Sequence, residues 1–158
     1  METKFLLPNK FKKIGWILLV ASVILWIYVG LILKTEIEFL QTNVFAIIGS
    51  EFIKETKYFS FINTNITYTL NGILFILGGL LVVFSQEKNE DEFISKLRLL
   101  SFQWSVLINY LLLLFLFLFV YGLDFLNVMI YNMFTTLILF IVRFHYLLFK
   151  YKNLEYEK

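Results

Sequence analysis

Four long apolar stretches fill this chain: Ile14 to Leu33, Ile66 to Phe84, Leu99 to Tyr121 and Phe125 to Phe149. Each is long enough to cross a hydrocarbon core, which takes roughly 20 apolar residues as helix. The first three contain no charged residue, and the fourth meets its first at Arg143, near its far end. A water-soluble domain of 158 residues would need polar helix faces, and these stretches lack them. The pattern predicts an all-α membrane protein with four transmembrane helices in an antiparallel bundle. The spans fall at about 14–33, 66–84, 99–121 and 125–149, with a loop over 34–65 outside and a loop over 85–98 inside. Residues 1–158 are expected to form a single membrane domain, with no room for a second folded one.

Composition narrows the chemistry. Hydrophobic residues make up 59% and charged residues 16%, far towards a lipid-facing chain. With no cysteine, disulfides, thiolate metal sites, thiol nucleophiles and cysteine lipidation are excluded. His145 is the single histidine, so no histidine-pair metal site can form, and no serine and acid stand at triad spacing from it. At the edge of the last span it is expected to contact headgroups. Acidic residues are absent from all four stretches, which removes the usual mark of an ion or proton path. The expectation is a non-enzymatic protein without a cofactor or nucleic-acid surface. Phe, Ile, Leu, Lys and Asn dominate while Pro occurs once and Ala twice, a bias that fits an AT-rich bacterial genome and hence the inner membrane.

Charge sets the orientation. Lys4, Lys10, Lys12 and Lys13 precede the first span; Lys88, Lys96 and Arg98 lie between the second and third; Arg143, Lys150, Lys152 and Lys158 end the chain. Only Lys34, Lys54 and Lys57 fall on the other side, and positive charge gathers in the cytoplasm, so both termini are expected there. The first stretch is too long for a signal-peptide core and bulky residues follow it, so it is read as an uncleaved span. In the outer loop, Glu36 to Phe39 and Phe59 to Phe61 alternate polar and apolar, while Gly49-Ser50 and Asn63 to Asn65 have turn composition. A small extracytoplasmic antiparallel β-element between the first and second helices is expected.

Polar chemistry concentrates in two places. Around the start of the third helix, Glu90, Asp91 and Glu92 complement the helix N-terminus, and Glu92 with Lys96 has the favourable i, i+4 order. These residues with Arg98 form a candidate partner-docking segment, set beside the simpler role of a charge-paired helix start. Within the spans, Ser101, Ser105 and Asn109 repeat along one face of the third helix. Asn132, Thr136 and Arg143 do nearly the same on the fourth. Antiparallel pairing would bring Asn109 and Thr136 to mid-depth and Ser101 near Arg143, as intramembrane hydrogen-bond contacts. Arg143 is expected to reach the inner surface or pair with Asp91 or Glu92. In the tight outer turn, Asp124 is placed to cap the fourth helix, and Gly72 and Gly79 on the second favour close packing.

The run from Asp91-Glu92-Phe93 to Ser101, with Trp104 beyond, resembles uncharacterised small four-span bacterial integral membrane proteins. So do Leu7-Pro8-Asn9 through Trp16, and Asn127 through Asn132. More loosely, the acidic pair followed by basic residues is similar to membrane inhibitors that accompany LytTR-type transcription factors, with Phe93 standing where those carry an arginine. The resemblance implies the four-span architecture and an accessory or regulatory role. Partners are then membrane lipids together with a membrane or cytoplasmic protein or a second copy of the chain. The alternative is an oligomeric channel or transporter component for ions or small molecules.

Overall fold

The computed structural model describes residues 6–31, 41–49 and 57–156. The elements run α1 (Lys10–Leu31), β1 (Gln41–Gly49), β2 (Lys57–Asn65), α2 (Thr67–Phe84), α3 (Glu92–Phe119) and α4 (Leu123–Tyr156). All four helices are long and apolar enough to cross a membrane. The chain divides into two compact units, one of Met1–Ile17 with Ile76–Lys158 and the other of Leu18–Phe75.

The larger unit is organised by α3 and α4. As residue numbers rise along α3 they fall in step along α4: Asn109 meets Asn132, Phe102 meets Phe140 and Phe93 meets Tyr151. The two helices are therefore antiparallel over their length. The turn between them is made by Val120, extended at φ −116°, and Gly122, whose φ of +75° is disfavoured for residues with a Cβ. Asp124 stands in the first turn of α4, one place after its first residue Leu123. It complements the helix dipole there and is not the cap.

The buried residues of α3 are Ile94, Ser101, Ser105 and Asn109, so much of its inward face is polar. Its outward face carries Leu100, Leu107, Leu111, Leu114 and Phe115, all exposed. This inverts the usual arrangement of a helix at a water-facing surface. Only 11% of the apolar window of α3, and the same share of that of α4, is buried within the protein. Core hydrophobes cluster at Val82, Val83, Phe140, Phe144 and Leu148.

In the smaller unit β1 and β2 pair antiparallel, with Phe45 opposite Phe61 and Val44 opposite Ile62. The expected β-element is present: the Phe59 to Phe61 alternation lies within β2, while its partner β1 comes from residues that the alternation does not mark. The apolar run Val44 to Ile48 forms β1, because β-branched and aromatic side chains suit a pleated surface. Asn63 to Asn65 is the end of β2 and not a turn, since it pairs with Gln41 to Asn43. Glu36 to Phe39 and Ser50 lie outside the described residues, as do Lys4, Lys34, Lys54 and Lys158. Phe59 is left-handed at φ +48° and interrupts the ladder between the pairs Ala46–Ser60 and Ile48–Tyr58. Phe45, Phe59 and Phe61 form an exposed aromatic group on one face.

Candidate functional site

Polar contacts of the larger unit gather at the N-terminal ends of α1 and α3 and the C-terminal end of α2. The segment before α1 is tied to the residues after α2: Leu7 and Ser85 form a parallel bridge, with Leu7 N–H donating to the Phe84 carbonyl at 2.8 Å. The Gln86 N–H returns a bond to the Leu7 carbonyl at 2.9 Å. Asn9 donates from Nδ2 to the Gln86 carbonyl at 2.6 Å, and Lys12 Nζ pairs with Glu87. Gly15 permits this approach. A Cβ there would lie 2.9 Å from the Gly78 carbonyl oxygen and equally near Leu81 and Val82 side-chain atoms.

A second tie is centred on Arg98. Its Nη2 donates to both oxygens of Glu90, at 3.0 and 2.9 Å, and its Nη1 to the carbonyls of Val83 and Ser85, at 2.6 and 3.2 Å. The guanidinium also lies 4.9 Å from the ring centre of Phe144. Arg98 thereby satisfies carbonyls at the end of α2, which a helix leaves without partners of their own. Glu90 in turn accepts from the Glu87 N–H at 2.8 Å. Asp91 is the N-cap of α3, its Oδ1 accepting from the Ile94 N–H at 2.7 Å.

The five residues of the candidate docking segment therefore separate. Glu90 and Arg98 are turned inward and bound to each other, while Asp91 caps α3. Glu92 and Lys96 are exposed and, among the described residues, make no ion pair with each other or with anything else. Beside the Lys12–Glu87 pair lies a cavity of about 860 Å³. Asn9, Lys12 and Lys13 line one side, Glu87, Lys88, Asn89 and Asp91 another, and Trp16, Ile94, Leu148 and Tyr151 supply apolar wall.

Farther along the helices the polar groups close on themselves. Asn109 and Asn132 exchange amide hydrogen bonds at 3.3 and 3.2 Å. The partner of Asn109 is thus Asn132 and not Thr136, which lies one turn away on the same face and makes no side-chain hydrogen bond among the described residues. Ser101 and Ser105, both 0% exposed, donate to carbonyls of their own helix, Leu97 and Phe102. They act as small residues that seal their own hydroxyls and not as interhelical donors. Among the described residues Arg143 makes no ion pair with Asp91 or Glu92 and no hydrogen bond with Ser101; its guanidinium lies 4.9 Å from the Trp104 ring centre. His145 is drawn inward, its Nδ1 donating to the Ile141 carbonyl at 2.8 Å and its ring meeting Trp16 edge-on. Gly79, as expected for close packing, lies against the Leu137 side chain.

The contacts missed from sequence are those of Leu7, Asn9 and Glu87 and the role of Arg98 at the end of α2. No periodicity marks them, since each joins residues far apart in the chain. Among the described residues no group of three or more His, Asp or Glu is placed to hold a metal ion. No protein-family model, curated protein or solved structure matches this chain.

Proposed function

We propose that the chain is a multi-pass protein of a bacterial inner membrane, its four helices an antiparallel bundle, its termini cytoplasmic and its β-hairpin outside. Its proposed role is that of a non-enzymatic accessory or regulatory protein acting through a membrane or cytoplasmic partner. A single contrast carries this reading. The Asn109 and Asn132 amides are spent on one another and the Ser101 and Ser105 hydroxyls on their own backbone, while one end of the helices holds a cavity and, among the described residues, charges without an ion-pair partner at Lys13, Lys88, Glu92 and Lys96. Polar surface for recognition is thus offered at the end read as cytoplasmic. The resemblance noted above suggests a transcription regulator of the LytTR type as one partner class.

The test is affinity capture of the tagged full chain from native membranes after mild solubilisation. A partner should co-purify with the wild type and be lost with Glu92→Gln/Lys96→Gln, at unchanged abundance of the bait. A partner profile indistinguishable from an untagged control would refute the role. Ion leakage from liposomes containing the purified chain would favour the channel alternative instead.

A further inference from the structure

The cavity at the ends of the helices has charged and apolar parts that need not have been combined for stability alone. Its charges are not all neutralised internally. Lys12 is paired with Glu87, and the Asp91 carboxylate is committed to the N–H of Ile94. Lys13 and Lys88 are exposed and have no ion-pair partner among the described residues. They come from opposite sides of the cavity, one in the first turn of α1 and the other in the segment between α2 and α3, with the Asn89 amide beside the second. Two ammonium groups and an amide approaching one space from separate segments suit an anion with several oxygens, for which lysine serves as a point charge. Trp16, Leu148 and Tyr151 give the same space an apolar wall. A small free anion would leave that wall unused.

We propose that this cavity binds a phosphate ester carried on an apolar body, the phosphate between Lys13 and Lys88 and the apolar part against Trp16 and Leu148. An anionic phospholipid of the inner leaflet is one source of that chemistry and a soluble phosphate ester the other. The lipid source rests on the cytoplasmic placement proposed above; the binding chemistry does not. An assay in detergent therefore separates failure of this site from failure of that placement.

The full chain would be purified in a neutral maltoside detergent, stripped of lipid and offered phosphatidylglycerol, phosphatidylcholine or the soluble ester phenyl phosphate, with retention read by native mass spectrometry. Phosphatidylglycerol should be retained at least tenfold over phosphatidylcholine. Lys13→Gln/Lys88→Gln should reduce that retention about thirtyfold, near fivefold for each basic group at an anionic surface. Lys150→Gln, a basic residue outside the cavity lining, should leave it unchanged. With Trp26→Phe and Trp104→Phe leaving Trp16 as the sole tryptophan, its emission should shift with phosphatidylglycerol and not with phosphatidylcholine. Equally strong, lysine-dependent binding of phenyl phosphate would uphold the site and assign it to a soluble ester. Equal retention of both lipids, or retention of phosphatidylglycerol that ignores the two lysines, would overturn the proposal.

Discussion

Breaking the Arg98–Glu90 pair should destabilise the larger unit more than any other polar change, and should do so non-additively. The side chains are 13% and 10% exposed, so neither charge recovers much hydration when its partner is removed. In Arg98→Met the Glu90 carboxylate keeps only the Glu87 N–H, and the Val83 and Ser85 carbonyls lose the Nη1 donor. Removing one member of a buried pair costs about 3–5 kcal/mol, mostly through the charge left behind. Glu90→Leu should cost a similar amount, since Arg98 then faces only carbonyls and the Phe144 ring. The double variant leaves no stranded charge. It should fall well short of the sum, by about 2 kcal/mol or more, with the residual loss set by the unsatisfied carbonyls at roughly 1 kcal/mol each. Stability would be read from helicity by circular dichroism as sodium dodecyl sulfate is titrated into maltoside micelles. Single variants within about 0.5 kcal/mol of wild type, with additive losses, would match an exposed pair and refute the reasoning.

Other perturbations test separate contacts by the same titration. Asn109→Leu and Asn132→Leu should each cost about 0.6–1.7 kcal/mol and should not add, because they remove one reciprocal bond pair; additive losses would mean the amides act independently. Gly15→Val should disrupt packing at Gly78 and Val82, whereas Gly30→Ala, where a Cβ meets nothing within 4 Å, should be neutral or gain up to about 1 kcal/mol. Equal effects at the two glycines would contradict the close approach. Asp91→Ala should cost about 1 kcal/mol by losing the N-cap of α3, and Asp91→Ser should recover most of it.

The helices were legible because a hydrocarbon-length apolar run leaves few alternatives: α2 begins at Thr67 and ends at Phe84, within a residue of the apolar stretch. Their ends were less so. α3 begins at Glu92 and not Leu99, since the Asp91 cap starts the helix before the apolar run does. The polar stripe of α3 was visible as spacing, yet spacing does not tell whether a buried serine bonds a neighbour or its own backbone. Ser101 and Ser105 do the latter. The partner of Asn109 lies one turn from the position the apolar stretches suggest because α3 ends at Phe119 and α4 starts at Leu123, each two residues earlier than those stretches. At the candidate site, composition marked the acidic segment as distinctive but could not assign Glu90 to Arg98 or expose Glu92. Those outcomes depend on where the end of α2 places its free carbonyls. A docking test that neutralised Glu90 along with Glu92 would therefore mix partner loss with structural damage.

The helices are proposed to cross a membrane with the cavity end in the cytoplasm and the hairpin outside. The absence of cysteine makes the chain a clean background for single-cysteine labelling. Tyr58→Cys in the hairpin and Asn89→Cys beside the cavity both replace exposed residues. With a membrane-impermeant maleimide on intact cells, Tyr58→Cys should label fully, and Asn89→Cys should label only after permeabilisation. Labelling of both positions from outside, or the reverse pattern, would contradict the account.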